Sequence, residues 1–143
     1  MSVVLLDVNI LIALAWPNHE SHGLVASWFR SQRDMGFATC PMTEAGFVRI
    51  SLNPLVVKEA KTPAVVLHLL GRFRALPGHE FWPDTLDLSV AFPGLLPVSG
   101  HRQVTDAYLL ALALHHGGRL ATMNAGIGNL LRDEDQGGLE IVA

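Results

Sequence analysis

Three acidic residues, Asp7, Glu44 and Asp106, each lie close to the point where a short apolar run meets the start of a predicted helix. Residues spaced three, four and seven positions apart share one face of a helix, and those that follow Asp106 at these distances are all apolar. The face that carries Glu44 is also largely apolar. An unpaired carboxylate that is turned toward a protein core is strongly disfavoured, so these acids require a partner or a cation.

A metal ion is the simplest partner for all three acids. The helix dipole stabilises a carboxylate in the first turn, which by itself accounts for any one of them. Three inward-facing acids that meet repel one another unless a cation lies between them, and the basic residues mostly fall elsewhere in the sequence. Because carboxylate oxygens favour hard divalent cations, we predict a Mg²⁺ or Mn²⁺ site. Such a metal suits phosphodiester hydrolysis, in which it activates water and stabilises negative charge on the phosphate.

Three polar residues accompany the acids. Asn9 follows Asp7 by two positions, and its amide can orient a metal ligand or satisfy the backbone of a turn; we expect the first role. Thr43 and Thr105 directly precede the other two acids. Each can cap its helix or reach a metal-bound water, and we expect capping for both.

Alternating strand and helix patterns position these residues. Short apolar runs predict strands over Val3–Leu6, 37–40, 119–123 and 139–142, and the segments 79–83 (HEFWP) and 89–92 (SVAF) are further strand candidates. Helices are predicted over 9–16, 19–35, from Thr43 to about Leu52, from Thr62-Pro63 onward, around Asp106 as far as Gly117-Gly118, and over 127–132.

The alternation predicts an α/β three-layer sandwich, in which a mainly parallel central sheet is flanked by helices in a single domain over residues 1–143. The carboxyl ends of parallel strands form one edge of the sheet, and ligands bind in the crevice at that edge. We therefore expect the three acids to converge there.

Composition and motifs narrow the class of protein. Half of the residues are hydrophobic and 16% are charged, which is typical of a compact globular chain. Cys40 is the only cysteine, so no internal disulfide forms, and this fits a reducing cytoplasm. The first residues lack a signal-peptide pattern and the apolar runs are short, so we expect a soluble cytoplasmic protein with no membrane partner. The sequence contains no GxxxxGK[ST], GxGxxG or GxSxG motif, so it gives no support for a nucleotide-binding protein or a serine hydrolase.

Several segments in combination resemble the PIN-domain family, and more narrowly the VapC-type toxins of bacterial toxin–antitoxin pairs: LLDVNILIAL, CPMTEAGFVRISLNP, VTDAYLLALALHHGGRLAT and LEIV, with PNHESHGLVASW and EFWPDTL typical of a subgroup. The resemblance implies a metal-dependent endoribonuclease that is usually dimeric and that also binds a cognate antitoxin. It implies that Asp7, Glu44 and Asp106 are metal-site acids that take part in catalysis, and that Asn9 is the polar residue of the first motif.

One position departs from the family pattern. Members commonly carry a fourth acid in a pattern like ATFD, whereas this chain reads ATMN, which places Asn124 at the fourth position. Asn124 either only suits a turn or reaches the site through its amide oxygen or a metal-bound water. With one negative charge fewer, a second metal position is weakened, which predicts RNA cleavage that is slow or needs high metal.

The resemblance also suggests partners. The net charge is −3, yet the segment 49–79 is locally basic. We expect single-stranded or loop RNA to bind some of its cations, which are Arg49, Lys58, Lys61, Arg72 and Arg74. Without the family resemblance, the charges of this segment would indicate only a solvated strip of the protein surface. We expect a homodimer, helped by the apolar residues Val65, Val66, Leu69 and Leu70 on one predicted helix.

Two alternative functions remain at this point. The first is a PIN-fold protein whose site is too weak to cleave and which binds RNA or an antitoxin. The second is a phosphatase of the haloacid dehalogenase type, whose first strand also ends in an acid. That chemistry requires a second Asp at position 9, where this chain has Asn9.

Overall fold

The computed structural model describes residues 2–58 and 62–143, without the side chain of Arg33. Five strands in these residues form one sheet, and each pair of neighbouring strands is parallel. The strands are β1 (Val4–Leu6), β2 (Phe37–Thr39), β3 (His79–Phe81), β4 (Arg119–Thr122) and β5 (Leu139–Ile141). Their order across the sheet is β3-β2-β1-β4-β5.

Helices cover both faces of this sheet. They are α1 (Val8–Ala15), α2 (His22–Gln32), α3 (Pro41–Ser51), α4 (Pro63–Ala75), α5 (Leu88–Ala91) and α6 (Val104–His115). Val4 and Leu6 belong to the core that α1 to α4 cover, while Leu5 belongs to the core under α5 and α6. This alternation arises because successive side chains of a strand point to opposite faces of the sheet. The predicted three-layer sandwich with a parallel sheet is confirmed.

The strand order leaves a crevice beside β1 and β4. These two strands are hydrogen-bonded neighbours, but the chain leaves β1 toward β2 and leaves β4 toward β5, on the opposite side. Open α/β sheets bind ligands at such a point, where the outgoing connections diverge at the carboxyl ends of the strands. Asp7 directly follows β1, and Asn124 lies shortly after β4, so both lie at this crevice.

The start of α3 differs from the prediction. The helix begins at Pro41, and Thr43 is its third residue rather than its N-cap. Thr43 Oγ1 accepts a hydrogen bond from Cys40 N at 3.0 Å and donates one to Cys40 O at 3.1 Å. Proline at the first helical position, where no N–H donor is needed, moves the start upstream. The predicted start of α4 is confirmed, with Thr62 as N-cap.

Segment 89–92 (SVAF) lies mostly in α5 and is not a strand. Asp87 caps this short helix by accepting hydrogen bonds from Ser89 N and Ser89 Oγ, both at 2.7 Å. The polar cap therefore decides the local structure over the β-branched and aromatic side chains that follow it. Two further boundaries differ: the predicted helix 127–132 is a 3₁₀ helix over Ala125–Leu130, and the predicted helix 19–35 is α2 followed by a 3₁₀ turn over Arg33–Met35.

Helix α6 contains the longest apolar run. Every residue from Ala107 to Ala113 is buried, because the helix packs on the sheet while α5 and the following 3₁₀ segments cover its outer side. Within residues 2–58 and 62–143, no helix has both the length and the apolar character needed to cross a bilayer.

Candidate functional site

Asp7 is a buried carboxylate at the carboxyl end of β1, with 7% of its surface exposed. It is the N-cap of α1, and its Oδ1 accepts a hydrogen bond from Val8 N at 2.7 Å. Its Oδ2 accepts one from Thr122 Oγ1, also at 2.7 Å. Burial raises the pKa of Asp7 above its ordinary value, and the two hydrogen bonds offset this only in part. A nearby cation would stabilise the ionised carboxylate.

Thr122 holds this arrangement together from the end of β4, where it is fully buried. Its hydroxyl donates its one hydrogen to Asp7 and accepts hydrogen bonds from Asn9 Nδ2 and from Asn124 N, both at 3.1 Å. Asn9 Oδ1 in turn accepts a hydrogen bond from Met123 N at 3.3 Å. Asn9 therefore acts on Asp7 through Thr122. The sequence analysis missed Thr122, although a polar residue that ends an apolar strand at this edge is a usable signal.

Asp106 is half-buried in the first turn of α6. Its pKa is raised, first by burial and then by the negative charge of Asp7, so the two carboxylates act on each other electrostatically. No side chain or backbone group in the described part of the protein donates a hydrogen bond to the Asp106 carboxylate. Asp106 is thus available to a ligand.

A cleft of about 390 Å³ brings these residues to one surface. We call it the acid cleft, and its polar lining consists of Asp7, Asn9, His19, Asp106 and Asn124. No Lys or Arg of the described ranges lines it. Two carboxylates with raised pKa values and no basic partner form a site that attracts a cation, and their oxygens suit a hard divalent ion.

His19 is a second residue that sequence reasoning missed. Its Nδ1 accepts a hydrogen bond from Ser21 N at 3.0 Å, so in the neutral ring Nε2 carries the hydrogen. The sequence predicted a helix from residue 19 onward, but α2 begins only at His22. The position of His19 in the acid cleft depends on the turn before α2, which leaves no signal in the sequence.

Glu44 does not line the acid cleft. Its Oε1 accepts a charged hydrogen bond from Arg74 Nη1 at 3.0 Å, and its Oε2 accepts one from Thr39 Oγ1 at 2.7 Å. Among the described residues, no group of three or more His, Cys, Asp or Glu is arranged to hold a metal ion. The structure therefore brings Asp7 and Asp106 to one cleft and leaves Glu44 outside it, and a metal site shared by all three acids stays a prediction. Arg74, from α4, supplies the cation that the sequence analysis did not place beside Glu44.

The ends of β2 and β3 fix Glu44 further. Thr39 Oγ1 lies 2.7 Å from His79 Nε2, and because the Thr39 hydrogen goes to Glu44, His79 Nε2 must be the donor in this contact. Burial, and then the Arg74 charge, lower the pKa of His79. The Arg74 guanidinium also lies 4.8 Å from the centre of the Phe81 ring. Thr39 thus holds Glu44 as Thr122 holds Asp7.

The remaining candidates have distinct positions. Asn124 lies at the edge of the acid cleft, and its Oδ1 accepts a hydrogen bond from Gly126 N at 3.1 Å, as expected for a turn residue. The Thr43 hydroxyl is used within the first turn of α3. Thr105 is exposed at the second position of α6, whose N-cap is Gln103, so the expectation that Thr105 caps this helix is wrong.

The predicted RNA-binding cations are mostly at the surface. Arg49, Lys58 and Arg72 are exposed, whereas Arg74 is paired with Glu44. Lys61 lies outside the described residues.

Known proteins resemble this chain in sequence and in fold. The model of the PIN domain family matches residues 4–130. Ribonuclease VapC39 of Mycobacterium tuberculosis is 48% identical over 126 residues, which cover 87% of this chain and 91% of that protein. Ribonuclease VapC38 of the same organism is 43% identical over 140 residues, or 98% of each chain.

A solved structure of VapBC2 from Rickettsia felis, bound to a DNA fragment from their promoter, superposes with a TM-score of 0.63 over 99% of each chain at 15% identity. That likeness shows the same fold. The family model and the relatives confirm the family that the sequence motifs resemble. The chain therefore belongs to the PIN-domain family, among its VapC-type toxins.

Proposed function

We propose that this protein is a Mg²⁺- or Mn²⁺-dependent endoribonuclease, which acts in the cytoplasm as the toxin of a toxin–antitoxin pair. The observation that carries the proposal is the acid cleft, where Asp7 and Asp106 have raised pKa values and where no Lys or Arg of the described chain forms part of the lining. The relatives that are named ribonucleases support it.

Asp7 and Asp106 are the residues that would hold the cation. The hydrogen bond from Thr122 orients the Asp7 carboxylate, and the hydrogen bond from Asn9 orients the Thr122 hydroxyl. These side chains therefore need little rearrangement when the cation binds. When bound, the cation supplies stabilisation of the negative charge that develops on a phosphodiester during hydrolysis. His19 Nε2 adds a hydrogen-bond donor to the same cleft.

Glu44 would contribute less to the metal than the other two acids. Glu44 lies outside the acid cleft, and the Arg74 charge competes with any cation for its carboxylate. Asn124 offers an amide in place of a fourth carboxylate. We therefore propose one metal position with two strong acidic ligands, and cleavage that needs a high metal concentration.

The pairing of Glu44 with Arg74 and the presence of Asn124 favour a second candidate function. Two of the four positions that are acidic in the family then lack a free carboxylate. A site weakened in this way would bind RNA or an antitoxin without cleaving RNA.

The proposed partners are RNA, a cognate antitoxin and a second copy of the chain. Arg49, Lys58 and Arg72 are the exposed cations available to RNA. Val66 and Leu70 are buried in the core of the protein itself, so they do not serve a dimer. Light scattering at micromolar concentration should give twice the mass of the chain, and a monomeric mass would contradict the dimer.

Calorimetric titration with Mn²⁺ tests the metal site. Asp7→Asn and Asp106→Asn should each weaken binding by about tenfold or more, because each removes one of the two carboxylates that line the acid cleft. Asp133→Asn is the matched control, since Asp133 is exposed and lies outside the acid cleft. Binding that is unchanged in both cleft variants would contradict the shared site.

A further inference from the structure

A second cleft, of about 230 Å³, lies beside the acid cleft and shares Asp106 and Asn124 with it. Arg102, Gln103 and Asn129 also line this second cleft. We call it the donor cleft, defined by Arg102, Gln103, Asn124 and Asn129. Any ligand that is held in the acid cleft and extends beyond it on this side enters the donor cleft.

The polar groups of the donor cleft are mainly hydrogen-bond donors. Gln103 Oε1 accepts hydrogen bonds from Ser99 N at 2.7 Å and Ser99 Oγ at 2.9 Å. Asn124 Oδ1 is likewise occupied by Gly126 N. The NH₂ groups of Gln103 and Asn124 are therefore left for a ligand, and so is the Asn129 amide, which has no partner among the described residues.

Arg102 adds a positive charge to these donors. Its side chain is exposed, and no ion pair or hydrogen bond joins its guanidinium to any residue in the described parts of the chain. Arg102 and Gln103 directly precede α6, the helix that carries Asp106. The same helix start therefore places Arg102 and Gln103 in the donor cleft and Asp106 where the two clefts meet.

We propose that the donor cleft holds a backbone phosphate of an RNA strand, adjacent to the phosphate that lies in the acid cleft. A phosphate accepts hydrogen bonds and carries a negative charge, which matches the amide and guanidinium groups. The inference rests on the proposed function, because that function places the reacting phosphate beside Asp106. The Asp106 carboxylate opposes an anion, so a cation in the acid cleft should strengthen RNA binding here.

Binding of a labelled single-stranded RNA oligonucleotide, followed by fluorescence anisotropy in EDTA over a series of salt concentrations, tests the proposal without cleavage. Arg102→Ala should weaken binding about tenfold and lower the salt slope by about 0.7, the value for one phosphate contact on a single strand. Arg102→Lys should keep the salt slope and lose part of the affinity, because it keeps the charge but not the planar fork.

Gln103→Glu is the sharper variant, since a carboxylate still accepts both Ser99 hydrogen bonds while it puts a negative charge into the cleft. It should weaken RNA binding at least as much as Arg102→Ala. Arg30→Ala is the matched control, because Arg30 is an exposed arginine on α2 that lines neither cleft. Urea unfolding checks that each variant is folded.

The outcomes separate this inference from the proposed function. If Arg102→Ala and Gln103→Glu bind RNA like Arg30→Ala, the donor cleft is not a phosphate site, whether or not the wild-type protein cleaves RNA with Mn²⁺. If both variants lose affinity as expected, the phosphate site is supported. If the wild-type protein then cuts no RNA, the proposed nuclease function fails while the phosphate site stands.

Discussion

Replacing Arg74 with glutamine tests whether Glu44 exchanges its ion pair for the metal. The pair joins Arg74 Nη1 and Glu44 Oε1 at 3.0 Å, and the two side chains are 45% and 12% exposed. Exposed pairs contribute about 0.2–1 kcal/mol, whereas breaking a buried pair costs about 3–5 kcal/mol. Because Arg74 is nearly half exposed, we expect its loss to cost about 1 kcal/mol in metal-free buffer, or a fall in Tm of about 3 °C.

A double-mutant cycle isolates the pair itself. The proteins are wild type, Arg74→Gln, Glu44→Gln and the double variant, and urea unfolding is measured in EDTA and in saturating Mn²⁺. The coupling energy should be about 1 kcal/mol in EDTA and stay near that value in Mn²⁺, because Glu44 lies outside the acid cleft and keeps its ion pair with Arg74. A cycle with Arg72→Gln is the control, because Arg72 is an exposed arginine on the same helix.

Two results would refute this reasoning. A coupling energy near zero in EDTA would mean that Arg74 does not neutralise Glu44. A coupling energy that falls toward zero in Mn²⁺ would mean that Glu44 exchanges Arg74 for the metal, and that the site has three acidic ligands.

Three other variants test neighbouring parts of the site. In metal-free buffer, Asp106→Asn should raise the free energy of unfolding at pH 7. Because the pKa of Asp106 is raised in the folded protein, the stability of the wild type falls as the pH rises from about 4, the pKa in the unfolded chain, through the folded pKa. Equal pH dependence of the two proteins would contradict this. Asn124→Asp keeps an acceptor for Gly126 N and adds a negative charge. Calorimetry should therefore show tighter Mn²⁺ binding, and RNA cleavage should need a lower Mn²⁺ concentration. An unchanged Mn²⁺ affinity would mean that position 124 is not part of the site. Removing the charges of Arg49, Lys58 and Arg72 together should lower the salt slope of RNA binding by up to about 2, and an unchanged slope would rule out that surface.

The sequence predicted the parts of the fold that depend on local pattern. The β1 residues Val4–Leu6 are buried on both faces, as a continuous apolar run indicates, and Thr62-Pro63 starts α4 as its cap and proline require. Asp7 could be placed at the carboxyl end of a strand for the same reason. The start of α3 was missed because Pro41 and Thr43 both favour a helix start, and only the backbone contacts of Thr43 decide between them.

The site was less predictable because its contacts join distant parts of the chain. Glu44 and Arg74 are 30 positions apart, and Thr122 and Asp7 are 115 apart. A helical pattern shows that Glu44 faces inward, but the direction of its carboxylate depends on what β2, β3 and α4 bring beside it. Sequence spacing carries no information about such a partner.

Cleavage of a labelled single-stranded RNA by the purified protein is the most direct test of the proposed function. The site geometry predicts cleavage in Mn²⁺ that EDTA abolishes, and Asp106→Asn should lower the rate by more than the roughly 10- to 100-fold that is typical for residues outside a metal's immediate ligands. Asp133→Asn should cut RNA like the wild type. If the wild-type protein binds RNA but cuts none at any Mn²⁺ concentration, or if Asp106→Asn cuts as fast as the wild type, the acid cleft is not a nuclease centre.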